Sequence, residues 1–314
     1  MEVSSPGDDF VLNLHGLLKG VEHLDHRRIY YLVGDIRISM KFDVVGFDWK
    51  GKVAFQSHAH TDHFASGKIV YATKPTIFLS HLRNSTLYSQ VEYGKRFYIG
   101  DYKAKLYPSG HMLGSAGIKI WLDEGTLYYT GDIKLERLRT AERAKIPKAD
   151  FLIIEATFGV PMYSFPEPRK VEKEIIWYVE DQLDRGKIPI IQANPYGKAQ
   201  EIIAILNAHG YTPRVDREIL KVSRVYSKFG IGLRTDNEGE VIVSSSKGIL
   251  VSGFGKVKLS NHADFWELIR IVEKVDPEKV FTIFGHAQSF AKILNGFGYE
   301  SRSISRGEEI RRWI

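Results

Sequence analysis

The sequence predicts an α/β fold, on three observations. The first third reads as short β-rich runs separated by turn residues. The stretch beyond Pro168 alternates strands with amphipathic helices. An apolar strand, Lys52–Gln56, runs directly into a histidine-rich loop. In order, Tyr30–Val33, Ile36–Phe42, Lys52–Gln56 and Ile69–Tyr71 read as strands and Ser80–Val91 has helical spacing. Strands follow around Phe97–Tyr107, Ile118–Leu122, Thr126–Thr130 and Asp150–Ile154. Pro161, Pro166 and Pro168 punctuate a linker. A helix over Arg169–Arg185 then places Ile175, Ile176, Val179 and Leu183 on one face. Lys187–Gln192 reads as a strand, Gly197–His209 and Asp216–Phe229 as helices, and Val241–Ser244 and Gly248–Ser252 as strands. The chain ends on a helix (Phe265–Val275), a strand (Lys279–Phe284), a helix (Gln288–Asn295) and a last short strand. No internal repeat or low-complexity tract is present.

The chain has 314 residues, of which 43% are apolar and 26% charged, so one large domain or two modest ones with an ample core are expected. It has no Cys, which excludes disulfides and cysteine-ligated zinc and leaves His, Asp and Glu as metal ligands. Met1–Phe10 is polar and acidic, unlike a secretory leader, and no apolar run is long enough to span a bilayer. The expectation is a soluble cytoplasmic protein without a membrane partner. The net charge of +6 suits a polyanionic partner and equally describes a slightly basic soluble protein.

Chemistry concentrates in Ser57-His58-Ala59-His60-Thr61-Asp62-His63. Imidazole and carboxylate suit zinc, and four such groups within six residues can hold two ions. The plain alternative is a polar loop rich in histidine, against which the H-x-H-x-D-H spacing argues. His111 lies between glycines in Ser109-Gly110-His111-Met112-Leu113-Gly114-Ser115, so the backbone can bring its imidazole close to a buried ion. Asp132 ends an apolar strand in Tyr129-Thr130-Gly131-Asp132, where a carboxylate can bridge two cations. Either residue alone would read as a turn residue.

This series resembles the metallo-β-lactamase superfamily, and later motifs are similar to those of its β-CASP nucleases. These are Glu155 in Ile153-Ile154-Glu155-Ala156-Thr157-Phe158-Gly159, His262 in Ser260-Asn261-His262-Ala263-Asp264, and His286 in Phe284-Gly285-His286. The resemblance runs from about Lys52 to His286. The stretch from Glu155 to Tyr163, Gly197-Lys198-Ala199-Gln200 and the segment from His262 to Trp266 are most similar to compact bacterial and archaeal ligase-associated DNA exonucleases and to mRNA 3′-end processing factor-like proteins. The resemblance implies an αβ/βα sandwich of residues 1–167 and 261–314, with a small α/β cap inserted over 168–260. It implies two zinc ions, with manganese as an alternative. One ion would be held by His58, His60 and His111, the other by Asp62, His63 and His286, with Asp132 bridging. It also implies that His262 protonates the leaving sugar oxygen and that Glu155 orients it, with simple support of a metal ligand as the alternative for Glu155.

The implied activity is zinc-dependent hydrolysis of single-stranded DNA or RNA, with Asp62, Glu155 and His262 as catalytic residues and a DNA ligase or RNA-processing factor as partner. Candidate phosphate contacts are Gly197 and Lys198 at a helix start, Ser115 beside the metal loop, and Ser252 and Lys256 in Ser252-Gly253-Phe254-Gly255-Lys256. An ordinary helix start and a plain hairpin turn are the alternatives there. Arg214, Arg217, Lys221, Arg224 and Lys228 recur at helical spacing as a basic stripe or a solvated face. His15, His23, His26, His81 and His209 have no motif context. The rival functions are a hydrolase of small esters or thioesters, which would not require Glu155, His262 and the insert together; a tRNA 3′-processing enzyme, which uses a protruding arm instead of the cap; and a non-catalytic scaffold subunit, which would have lost ligands.

Overall fold

The structure, a computed structural model, describes residues 43–123 and 125–304 and the strand segments at 11–12, 30–31 and 37–40. Strands β1 (Val11–Leu12) and β2 (Tyr30–Tyr31) pair with each other. A five-stranded sheet follows in sequence order: β3 (Arg37–Met40), β4 (Asp43–Phe47), β5 (Val53–Phe55), β6 (Ile69–Ala72) and β7 (Tyr88–Gln90), with helix α1 (Lys74–Ser80) between the last two. From β4 to β7 neighbouring strands are parallel.

The larger sheet has seven strands. Strands β8 (Arg96–Ile99), β9 (Tyr102–Pro108), β10 (Ala116–Leu122) and β11 (Gly125–Tyr129) pair antiparallel in sequence, and β12 (Phe151–Glu155) continues parallel to β11. The chain then leaves for an inserted unit. Helices α2 (Pro168–Asp184), α3 (Lys198–Ala208) and α4 (Arg217–Lys228) accompany a four-stranded parallel sheet of order β14-β15-β13-β16, formed by β13 (Ile190–Gln192), β14 (Arg214–Val215), β15 (Ile242–Ser244) and β16 (Ile249–Leu250). It returns through α5 (Phe265–Val275), β17 (Lys279–Ile283), α6 (Ala287–Gly296) and β18 (Glu300–Ser303), which extend the large sheet in parallel.

Burial explains the layering. Val45, Phe47 and Phe55 of the smaller sheet face Ile99, Leu106, Ile118, Tyr129 and Ile153 of the larger one, with Phe47 stacked on Tyr129 at 5.6 Å between ring centres. On the outer face Leu152, Ile154 and Val280 pack against Leu268, Val272, Phe290 and Leu294 of α5 and α6. Strand β12 is thus covered on both sides, which is why its sequence, Phe-Leu-Ile-Ile-Glu, lacks polar alternation. Each fully buried aliphatic side chain here contributes about 1.5–3 kcal/mol. The inserted unit has its own core, in which Val171, Ile175 and Val179 of α2 meet Ile202, Leu206, Val243 and Val251. A smaller cluster joins it to the body: Ala59, Met112 and Leu113, from the histidine loops, pack on Tyr196, Val222 and Tyr226. The inserted unit therefore sits over the histidine loops.

Two local expectations differ. The predicted helix over Ser80–Val91 is instead α1, ending at Ser80, followed by a turn and β7. Thr73 caps α1 by accepting from the Thr76 amide, and Pro75 occupies its first turn, while Leu82 and Leu87 are exposed and form no buried stripe. The run Phe97–Tyr107 breaks into the hairpin β8–β9, because Gly100, at φ 58°, turns the chain. The residues at 32–36 and 41–42 of the early strands, and His15, His23 and His26, lie outside the described residues.

Candidate metal centre

Topology gathers the site. Strands β9 and β11 both run antiparallel to β10, and β11, β12 and β17 are parallel, so all four point their C-terminal ends to one edge of the large sheet. His111, Asp132, Glu155 and His286 lie at or just beyond those ends. Asp48 and the segment 57–63 follow the C-terminal ends of the parallel β4 and β5. Gly131 lets Asp132 approach: its φ is 56°, and a Cβ there would lie 2.6 Å from that of Ser57.

The hydrogen bonds on the outer sides of three imidazoles set their tautomers. The Ser57 hydroxyl donates to Asp48 Oδ2 at 2.6 Å, so it accepts from His58 Nδ1 at 2.9 Å. His111 Nδ1 lies 3.0 Å from the Asn261 carbonyl, and His60 Nε2 lies 3.1 Å from the Tyr196 carbonyl. A carbonyl only accepts, so those ring atoms carry the protons, leaving His58 Nε2, His60 Nδ1 and His111 Nε2 bare. The bare nitrogens converge. His60 Nδ1 is 3.1 Å from His58 Nε2 and 3.3 Å from His111 Nε2, and Asp132 Oδ2 is 3.3 Å and 3.6 Å from the same two atoms. Four ligands about 2.0–2.1 Å from one ion at tetrahedral corners stand roughly 3.3–3.4 Å apart.

Protons do not resolve this convergence of lone pairs. Burial, reinforced by the neighbouring imidazoles, holds His58 and His111 well below the ordinary histidine range. Burial, with His63 and His262 nearby, brings His60 down to about 4. Three neutral nitrogens and a carboxylate oxygen facing one another in a buried pocket fit a divalent cation.

A second position adjoins the first through the other oxygen of Asp132. His63 Nδ1 bonds Asp48 Oδ2 at 3.0 Å, and its Nε2 stands 3.6 Å from Asp132 Oδ1 and 4.0 Å from Asp62. Burial opposes protonation of His63, but Asp132 and Asp48 outweigh it and push the ring up to about 10. Burial itself raises Asp132 to about 6. Asp62 is 81% exposed at the rim, free to turn inward. His286 stands apart: its ring lies 5.3 Å from that of Tyr163 and makes no polar contact with the other histidines among the described residues.

Beside the cluster, buried Glu155 holds His262 Nδ1 at 3.0 and 3.1 Å, while its oxygens also accept from the Ile133 amide and the Thr157 hydroxyl. His262 Nε2 faces Asp132 Oδ2 at 3.8 Å. Burial lowers the affinity of His262 for a proton, but Glu155 and Asp132 outweigh it and raise its pKa. Neighbouring backbone fixes the ring: the His262 amide bonds Ser260 Oγ, the Ala263 amide bonds the Ile133 carbonyl, and Asp264 caps α5.

These groups open into a cleft of about 360 Å³ whose walls include Asp62, Arg83, Thr157, Lys198 and Phe284. Gly197, at φ 88°, starts α3 and projects Lys198 into the cleft. Burial alone brings Lys198 down to about 8, and it has no carboxylate partner among the described residues. The other phosphate candidates lie elsewhere. Ser115 is buried and its hydroxyl accepts from the Met112 amide inside the loop, Ser252 Oγ accepts from the Phe254 amide, and Lys256 is exposed on the turn that follows β16. Arg217, Lys221, Arg224 and Lys228 lie on the exposed face of α4, away from the cleft, and Arg214 lies in β14. His81 bonds the Thr86 carbonyl and His209 bonds Glu172.

Sequence reading missed Asp48, which accepts from Ser57, His63 and Tyr129 and orders the floor of the site. The available signal was an acid directly after an apolar strand, the pattern that marked Asp132. Arg83, stacked on Tyr196 at 3.9 Å and bonded to Glu218, was also unanticipated.

No family-level sequence profile matches the chain. It is 29% identical over 303 residues to a probable DNA ligase of Opitutus terrae, covering 84% of this chain and 30% of that protein. It is 33% identical over 177 residues to an RNase J-like protein of Methanocaldococcus jannaschii, covering 48% of this chain and 42% of the relative. RNase aCSPSF2 of Saccharolobus solfataricus is 27% identical over 147 residues, covering 44% and 30%. The chain thus spans less than half the length of these relatives. A solved protein of unknown function from Enterococcus faecalis V583 superposes with a TM-score of 0.56 at 13% identity, covering 82% of this chain and 80% of that one, a likeness of fold alone. These relatives are β-CASP members of the metallo-β-lactamase family, and the chain is similar to them in sequence, in its mixed α/β architecture and in its series of motifs.

Proposed function

We propose that this chain is a metal-dependent nuclease that hydrolyses phosphodiester bonds of single-stranded DNA or RNA, acting as an exonuclease in DNA repair or RNA processing. Residues 168–260 serve as the cap over the cleft. The single observation that carries the reading is the Glu155–His262 pair: an imidazole backed by a buried carboxylate at 3.0 Å, at the edge of a cluster fit for a divalent cation. A hydrolase of activated small esters has no need of such an acid, whereas a sugar alkoxide leaves poorly without one. Relatives whose names include RNase support the same substrate class.

His58, His60, His111 and Asp132 would hold one zinc ion; His63 and Asp132, with Asp62 turned inward and His286, would hold the other, and manganese could replace zinc. Such ions supply Lewis acidity, lowering the pKa of water and neutralising charge on the phosphate. The chain's own groups do the rest. Lys198, desolvated and unpaired, offers its ammonium to a non-bridging phosphate oxygen. His262 holds a proton at Nε2 for the departing sugar oxygen, and Glu155 keeps the ring oriented and cationic through Nδ1. The cleft admits an unstacked strand, and a DNA ligase or an RNA-processing factor is the class of protein it would serve.

The test is the His262→Ala variant on two substrates. It should keep its metal and cut an end-labelled oligonucleotide roughly 10²–10⁴-fold more slowly, the usual range for loss of a general acid. Bis(p-nitrophenyl) phosphate, whose leaving group needs little protonation, should be cut at near the wild-type rate. Equal loss on both substrates with loss of metal would make His262 a ligand, and no loss on either would remove the proposed acid.

A further inference from the structure

Across the buried ring of Phe158 from His262, a short loop presents an aromatic ring to solvent. After β16 the chain turns through residues 252–256 and closes with a bridge between Val251 and Val257. Two glycines fix the turn. A Cβ on Gly253 would lie 2.2 Å from Phe158 Cζ, and one on Gly255 would lie 2.2 Å from the Leu250 carbonyl oxygen. The loop is therefore seated on the Phe158 ring, and any side chain at either position would lift it. Between them Phe254 is 62% exposed. It is nonetheless held: its ring lies 4.9 Å from Phe158 and 5.6 Å from Tyr163, and its amide bonds Ser252 Oγ. Phe158 in turn meets the imidazole of His262 edge to face at 6.1 Å. Lys256 and Lys258 are exposed on the same loop, and Lys258 donates to the Gly253 carbonyl.

We infer that Phe254, backed by Phe158 and Tyr163, is the stacking surface for the nucleobase of the nucleotide on the leaving-group side of the scissile bond. This inference rests on the nuclease reading. His262 must reach the departing sugar oxygen, so the sugar bearing it lies against His262, and the aromatic rings that lead from His262 through Phe158 to Phe254 lie on the side where its base can extend. A solvent-exposed aromatic ring flanked by two lysines is the pairing that single-strand binding uses: the ring takes a base face, the ammonium groups take phosphates. Stacking accepts every base, so the surface confers preference for an unpaired base without sequence preference. Tyr163 meets Phe254 at 84° between ring planes, an edge-to-face arrangement, and Phe254 remains 62% exposed.

The test uses zinc-loaded full chain and ten-residue oligonucleotides of whichever of DNA or RNA the wild type cuts. A single abasic residue is placed in turn at each of the first three positions from the attacked end. KM is measured with metal, and Kd by fluorescence anisotropy in chelator. With wild type, one abasic position should raise KM and Kd about five- to a hundredfold, the usual value of one base stack. Phe254→Ala should show the same loss on the unmodified strand and no further loss on that abasic strand. Phe254→Trp should restore binding, and kcat and metal content should stay within about twofold throughout. An abasic penalty undiminished in Phe254→Ala, or unchanged binding by that variant, overturns the inference and leaves the exposed ring to a protein partner. A wild type that neither binds nor cuts any strand removes the nuclease reading as well, so the two failures are distinguishable.

Discussion

At the scale of single residues, the site works through outward-facing hydrogen bonds. Ser57, Asn261 and Tyr196 each hold the distal nitrogen of one histidine and thereby turn a lone pair inward. Asp48 holds the distal nitrogen of His63 and also accepts from the Ser57 amide, its hydroxyl and Tyr129. Removing it strands several buried donors at about 1–3 kcal/mol each. Asp48→Ala should therefore lose about 3–5 kcal/mol of unfolding free energy, measured by urea titration of the metal-free protein; a loss under 1 kcal/mol would show that Asp48 is no hub. Asp62 is the opposite case. Its side chain is 81% exposed and its one ion pair, with His63 among the described residues, is long at 4.0 Å, so Asp62→Asn should leave the unfolding midpoint nearly unchanged while metal content falls from two ions toward one and strand cleavage falls at least a hundredfold. Elemental analysis and a cleavage assay on the same preparation check both halves, and near-normal cleavage would remove Asp62 from the ligands.

At the scale of elements, the start of α5 anchors the loop that bears His262, the proposed acid. Asp264 accepts from the Glu267 amide at 2.8 Å and from the Phe165 amide at 3.0 Å, while Glu267 bonds Lys134 and the amides of Leu135 and Glu136 behind Asp132. The helix start thus ties His262 to the strand end bearing Asp132. Asp264→Ala should cost about 1–2 kcal/mol in thermal unfolding, as loss of an N-cap does, and Asp264→Asn, which still caps, much less. Equal destabilisation by both would assign the effect to charge. The elements also show what sequence can and cannot reveal. His58, His60, His63, His111, Asp132, Glu155 and His262 were legible because each follows a recognisable apolar strand or precedes a helix, in a fixed order. Asp48 was not, because although it follows an apolar strand as Asp132 does, it stands outside the ordered series of motifs, and only the sheet register places it under Ser57. Ser115 suggested a phosphate contact by its position; its buried hydroxyl accepts from the Met112 amide within its own turn. The spacing in Ser80–Val91 suggested a helix because periodicity records apolar residues without recording that Leu82 and Leu87 face solvent.

At the scale of the whole molecule, two facing sheets supply a rigid edge and an inserted unit closes over it. Among the described residues no helix is long and apolar enough to cross a membrane. The net charge of +6 and the unpaired Lys198 in the cleft predict that strand affinity falls as salt rises, since each neutralised phosphate releases counterions. The logarithm of the binding constant should fall linearly with the logarithm of salt, with a slope of about −0.7 per phosphate contact on a single strand. A flat titration would speak for a small, uncharged substrate. In the proposed function the convergent histidines would hold a metal on which cleavage of nucleic acid depends. The most direct test of this follows an end-labelled single strand incubated with chelator-stripped protein, before and after zinc is restored. No cleavage is expected before, and after it cleavage that His58→Ala lacks. Cleavage that persists through stripping, or a protein that binds zinc at these residues and leaves every strand intact, would contradict it.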